Sequence, residues 1–282
     1  MESHSLCFMR PAVRAILACV LLSACDVASA FNVYAVTPSN VLVRFASQTP
    51  DAPSIATITG LGAGENVVGL DFRPSDQKLY ALASNTGGSA RLYTIDRTTG
   101  VATLVVDVTA ASADPYTALS GTKFAMNFNP MVDRLRVVSN NGMNIRINPA
   151  NGLVTTDTPL NPGTPHVVGI AYTNSYVGAA STTLYDIESV SDSLSIQTFP
   201  NAGVLSPVGP LGVDTSAFVG FDIFEYGGGN VAYATLTVAG VTRFYAIVLE
   251  TGTAGLIGNV GYFDPLIAMT ILPDRLFADD FD

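Results

Sequence analysis

Five short apolar runs fall into one register along this chain, and that repetition limits its fold more than any other feature. NVYAV (32–36), KLYAL (78–82), RLRVV (134–138), TLYDI (183–187) and VAYAT (231–235) align in a column. Its middle position holds Tyr34, Tyr80, Arg136, Tyr185 and Tyr233, at steps of 46, 56, 49 and 48 residues. A second column lies one strand earlier: GLDFRP (69–74), AMNFNP (125–130), GIAYTN (169–174), GFDIFE (220–225) and AMTILP (268–273). A third lies one strand later: LVRFASQTP (42–50), LYTIDRTTG (92–100), NIRINPANG (144–152) and FYAIVLETG (244–252), with SIQTFPNAG (195–203) fitting after a slight adjustment. A short closing strand follows each: IATITG, VATLVV, LVTT, VLSPVG and AGLIGN.

Each unit thus reads as three or four short strands with period-two alternation, separated by Gly, Asn, Asp or Pro turns. No helix-length amphipathic run follows the first thirty residues. Four-stranded units repeated at this spacing indicate a β-propeller. A β-sandwich would not explain three columns in register. The first unit lacks a GLDFRP-type strand at its start, but AMTILP supplies one near the end of the sequence. The expectation is an all-β, five-bladed propeller forming one domain over residues 31–273. Its C-terminal strand would close the first blade and hide an edge.

GLDFRPSDQKLYALAS, RLYTIDRTTG, FNPMVDRLRVVSNNGMNIRINP, NPGTPHVVGIAYTN and TLYDI, in that order, resemble the bacterial DUF4394 family over about residues 33–272. The resemblance implies an exported, propeller-like domain. It implies no activity, because the family is named for an unknown function. The closing RLFADDFD resembles short acidic tails on exported proteobacterial proteins and sets residues 274–282 apart.

Residues 1–30 read as an export signal. Arg10 and Arg14 precede the apolar run 15–22, which is too short to span a bilayer. Two exits compete. Ala28-Ser29-Ala30 would release a chain starting at Phe31, whereas Leu22-Ser23-Ala24-Cys25 resembles a lipobox that removes residues 1–24 and lipidates Cys25. The expected location is therefore the periplasm, the cell surface or the medium, with a lipid anchor as one alternative and no transmembrane span. All three cysteines (Cys7, Cys19 and Cys25) lie in the leader, so the mature domain has neither disulfide nor cysteine nucleophile.

Composition narrows the partners. A net charge of −10, with Lys78 and Lys123 the only lysines, disfavours nucleic acid and anionic membrane surfaces. His166 is the sole mature histidine, so a zinc cluster is excluded by count and a Ser-His-Asp hydrolase would hang on one loop residue. No phosphate-binding glycine motif occurs, and the Asn- and Asp-rich turns lack the calcium-loop spacing. Those turns could bind calcium without a motif to mark it, and no other cofactor is expected.

Candidate site residues come from two places. In a propeller the GLDFRP-type strands lie nearest the axis, so Asp71, Asn127, Ala171, Asp222 and Thr270 share one level, and Arg73 and Asn129 start the next. The polar side chains could converge on a cation or polar ligand, or each could bond backbone within its own blade. The second place is the third unit, which concentrates Asn127, Asn129, Asp133, Arg134, Arg136, Asn144 and Arg146. Arg136 stands where four other units carry tyrosine. The three arginines could grip a carboxylate, sulfate or phosphate, or form a salt-bridged blade with Asp133. The expectation is a monomeric, non-enzymatic propeller that binds a small molecule, glycan or protein, or serves as a scaffold. The alternative is a carbohydrate-active or lyase-type enzyme using the polar channel residues.

Overall fold

The computed structural model describes residues 30–272, so the leader, Cys25 and the 274–282 tail lie outside the described residues. Blade one contains β1 (Asn32–Val36), β2 (Val41–Ala46) and β3 (Thr49–Thr57). Blade two contains β4 (Asn66–Phe72), β5 (Leu79–Ser84), β6 (Ala90–Ile95) and β7 (Ala102–Asp107). Blade three contains β8 (Thr109–Ala110), β9 (Phe124–Asn129), β10 (Arg134–Ser139), β11 (Asn144–Ile147) and β12 (Leu153–Thr156). Blade four contains β13 (Val167–Tyr172), β14 (Leu184–Glu188), β15 (Ser193–Phe199) and β16 (Val204–Pro210). Blade five contains β17 (Val219–Tyr226), β18 (Gly229–Val238), β19 (Val241–Ile247) and β20 (Ala254–Asn259). The last described strand, β21 (Ala268–Leu272), returns to pair antiparallel with β1, so blade one reads β21-β1-β2-β3. This is the five-bladed, strand-closed ring that the three columns predict.

The strands differ in burial as their positions require. β4, β9, β13, β17 and β21 surround the axis and are largely buried, whereas β7 and β20 on the rim are mostly exposed. The core lies between blades. Tyr34 stacks edge-on to Phe72 of blade two at 5.3 Å, and Tyr80 meets Phe128 of blade three at 5.2 Å. The tyrosine column therefore packs each blade onto the next. Such aromatic pairs contribute about 0.5–1.5 kcal/mol beyond the area they bury.

Arg136 interrupts the series. It points at Tyr172, the blade-four counterpart of Phe72 and Phe128, and its Nε donates to the tyrosine hydroxyl at 2.9 Å. The apolar cluster at this interface (Ala125, Val138, Leu160, Val167, Ile170, Tyr172 and Leu184) is the smallest of the five among the described residues. One arginine in a tyrosine column thus exchanges an aromatic contact for a polar interface.

The glycines that end the third column are explained at the rim. Gly152 has φ +71°, and a Cβ there would lie 2.0 Å from the Asp107 carbonyl oxygen of blade two. Glycine alone allows that approach, which lets Thr109 N–H donate to the Gly152 carbonyl at 3.1 Å. The same connection makes β8, a fifth strand parallel to β12 that the repeat does not contain. It covers the outer edge of blade three.

Candidate functional site

Around the axis the polar level proves to be an interblade clasp. Asp71 Oδ2 accepts the N–H of Phe128 at 2.7 Å, and Asn127 Oδ1 accepts that of Tyr172 at 2.9 Å. Asp222 Oδ2 accepts the N–H of Ile271 at 2.7 Å, and Thr270 Oγ1 accepts that of Phe72 at 3.2 Å. In each case residue i of one blade takes the amide of the following level residue plus one in the next blade. The series is broken at Ala171, and there Ile223 N–H turns to Oδ1 of its own neighbour Asp222 at 2.8 Å. The expectation that each side chain bonds backbone within its own blade is therefore corrected: the acceptors reach across to the next blade. A bond within one hairpin would leave the inner-strand amides facing the axis without partners.

Asp71 and Asp222 also share Thr270, whose Oγ1 lies 3.1 Å from Asp71 Oδ1 and 3.0 Å from Asp222 Oδ2. A hydroxyl has one hydrogen, so it can donate to one carboxylate only. The other must contribute a proton of its own. Burial, followed by the Asp222 charge, raises Asp71 well above the usual carboxylate range, and burial pushes Asp222 up to about 7. Both shifts favour a proton held within the pair. The adjoining cavity is about 10 Å³, room for no more than a water. Among the described residues no three His, Cys, Asp or Glu side chains converge.

Arg73 and Asp133 form a second interblade tie. Arg73 Nε donates to Asp133 Oδ1 at 2.8 Å, Nη2 donates to Oδ2, and Nη1 reaches the Tyr80 hydroxyl at 3.2 Å. Asp133 was expected to pair within its own blade; it pairs with blade two instead, because its left-handed turn (φ +51°) aims it there. The Arg73 hydrogen bond lowers the Asp133 pKa.

The remaining candidates gather in a cleft between blades three and four, with a volume of about 860 Å³. Arg136, only 2% exposed, is its buried wall. Its Nη1 donates to Asn144 Oδ1, to Asp157 Oδ2 at 3.0 Å and to the Pro200 carbonyl at 3.2 Å, while Nη2 donates to Asn201 Oδ1 at 2.7 Å. Asn144 donates to the Pro200 and Thr158 carbonyls at 2.8 and 3.0 Å. Together they pin the 3-10 turn Pro200–Ala202 of blade four against blade three. Arg146 Nε and Nη2 both bond Asp157 at 2.8 Å, leaving Nη1 without a protein partner among the described residues. Arg134 uses only Nη1, on the Val132 and Asp133 carbonyls. Asn129 lines the same cleft, its Oδ1 holding the Met131 amide at 2.9 Å.

Blade four contributes residues to the cleft that a reading by repeat did not reach, Gln197, Phe199 and Asn201, with Asp157 from the connection before it pairing the arginines. Gln197 is buried, donates Nε2 to the Pro200 carbonyl at 2.9 Å, and leaves Oε1 without a partner among the described residues. Asp186 is wholly buried with both oxygens unpaired, and burial raises its pKa well above the usual range despite the nearby Arg136. The one available signal was SIQTFPNAG, the only third-column segment that needs adjustment. The adjustment is the Pro200–Ala202 turn.

A strand-closed ring of five sheets with a polar interblade cleft defines a five-bladed β-propeller with a recess on one interface. By sequence the chain belongs to the DUF4394 family, a domain of unknown function, which it matches over residues 41–270. No curated protein matches it in sequence. Among solved structures it is similar to the GH74 enzyme of Niastella koreensis (16% identity, TM-score 0.47, covering 80% of this chain and 35% of that one). It is also similar to a "putative 6-phosphogluconolactonase" of Bacteroides uniformis (15%, 0.46, 83% of each chain) and to TolB of Acinetobacter baumannii (12%, 0.43, 86% and 66%). At such identities and scores no activity passes from these proteins to this chain.

Proposed function

We propose that this chain is an exported, non-enzymatic binding propeller whose ligand seat is the cleft between blades three and four. One observation carries the reading. The cleft holds hydrogen-bonding capacity that the protein itself leaves unused: Gln197 Oε1, Arg146 Nη1, and Arg134 Nε and Nη2. Buried polar groups are normally satisfied, so an unpaired acceptor beside free guanidinium donors suits an absent polar ligand. Three of the chain's thirteen basic residues, and no carboxylate, are among the described residues that line this cleft, in a protein of net charge −10. An anionic small molecule fits that local charge. The axis carboxylates support catalysis less well, because backbone amides of neighbouring blades already occupy them.

Thermal shift of the full chain against a panel of small acids, with and without calcium, tests the reading. A ligand at one hundred times its Kd should stabilise by about 2.7 kcal/mol. Stabilisation lost in Arg134→Ala supports the cleft, and no stabilisation by any acid sinks it. For export, intact mass of the protein recovered from the envelope separates a lipidated Cys25 from a Phe31 terminus. Retention of residues 1–24 in that protein would refute export processing.

A further inference from the structure

The unused groups of the cleft differ in kind, and together they restrict the ligand. This inference rests on the cleft being the binding site. Arg134 offers an Nε–Nη2 edge and Arg146 offers Nη1, since their other donors are taken by carbonyls and by Asp157. A planar carboxylate matches such an edge, with two parallel N–H···O bonds. Gln197 Oε1 is the opposite case, a buried acceptor awaiting a donor. A sulfate dianion brings only acceptors, and its lone pairs would oppose it. The ligand must therefore carry an acid group and an O–H or N–H donor together.

A third element is apolar. Phe199 is 68% exposed at the lip of the cleft on blade four, and Val132 is 55% exposed at the lip on blade three. Large apolar side chains facing water at a polar recess suit a ligand with a non-polar face. An acidic peptide could supply carboxylate and amide donors, but its free ammonium would face the guanidinium groups of Arg134, Arg136 and Arg146. An acid group, hydroxyl donors and a C–H face coexist in one chemical class.

We propose that the cleft binds an acidic sugar of the uronic acid type. Its carboxylate sits on Arg134 and Arg146, a ring hydroxyl donates to Gln197 Oε1, and its C–H face lies on Phe199. The volume of about 860 Å³ admits more than one sugar residue, so a short segment of an acidic glycan fits.

Calorimetric titration of the full chain with trigalacturonate tests this, alongside its methyl ester, triglutamate and inorganic phosphate. Trigalacturonate should bind, and esterification should weaken it by about tenfold or more, as should Arg134→Ala and Phe199→Ala separately. Phe199 is exposed and Arg134 half-buried, and unchanged melting temperatures confirm that the variants fold. Triglutamate or phosphate binding as tightly as trigalacturonate, or an inert Phe199→Ala, overturns the sugar assignment and leaves the cleft as an anion site. Absence of binding by every acid overturns the cleft reading as well.

Discussion

The axis and the blade three–four cleft are both built from buried polar side chains, yet they handle hydrogen bonds in opposite ways. At the axis Asp71, Asn127, Asp222 and Thr270 hand their acceptors to the backbone of the next blade, and the space left is about 10 Å³. In the cleft Arg136 and Asn144 are similarly committed, but Arg134, Arg146 and Gln197 keep unused groups around about 860 Å³. Polarity alone therefore does not mark a site. What distinguishes the cleft is the bonding capacity left over after the fold is satisfied.

Arg136 should give the largest effect, because it belongs to the structural half of the cleft. Arg136→Ala leaves the Asn144 and Asn201 side-chain oxygens and the Tyr172 hydroxyl without their shared donor, and each buried group left unpaired costs about 1–3 kcal/mol. Urea denaturation should show a lower midpoint. A midpoint equal to that of the natural chain would place Arg136 with the ligand groups instead.

Asp222→Ala should follow. It strands the Ile271 and Ile223 amides, and each orphaned buried group costs about 1–3 kcal/mol. Hydrogen exchange should reveal early opening at the junction of blades five and one. Loss confined to the substituted strand would argue against an interblade clasp.

The shared proton sets a pH dependence of intermediate size. Asp71 and Asp222 both have raised folded-state pKa values, chiefly from burial. The folded chain then binds more protons than the unfolded chain above the unfolded aspartate value of about 3.9. Their contribution is fully present below that pH and is lost as pH rises through about 7, the value for Asp222. The midpoint of thermal unfolding should fall across that window. Asp71→Asn keeps an acceptor for Phe128 and supplies a permanent donor to Thr270, so it should flatten the fall. An unchanged slope would deny the shared proton.

The smallest effect on stability belongs to Arg134→Ala, within about 0.5 kcal/mol, since its bonds go only to nearby carbonyls. Its consequence should be seen in ligand affinity. A large loss of stability here would erase the contrast between committed and uncommitted groups.

Much of this was legible in the sequence, unevenly. The blade count, the closure by AMTILP and the common level of Asp71, Asn127, Asp222 and Thr270 follow from the register of three columns. Arg136 stood out because a column of tyrosines made it an exception. The partners were hidden. Nothing near Asp71 in sequence indicates Phe128, which lies 57 positions away on another blade. Repeats encode contacts within a blade, where pairing is local, and encode interblade contacts only where every unit uses the same residue. Asp157, Gln197, Phe199 and Asn201 have no such counterparts, so the cleft emerged from the one irregular unit.

The β21–β1 pairing also governs the order of assembly. β21 completes the blade that β1 begins, and it carries Thr270 and Ile271 into the clasp. Blades two to five can pair their strands from contiguous sequence, whereas blade one must wait for β21, which follows all of them. Closing so long a loop comes late, since its entropy must be offset by contacts not yet formed. Until then the β1 edge and two aspartates lack their partners. A ribosome-bound chain would thus remain an open arc, and the ring would acquire both its edge protection and its shared proton in the same final step.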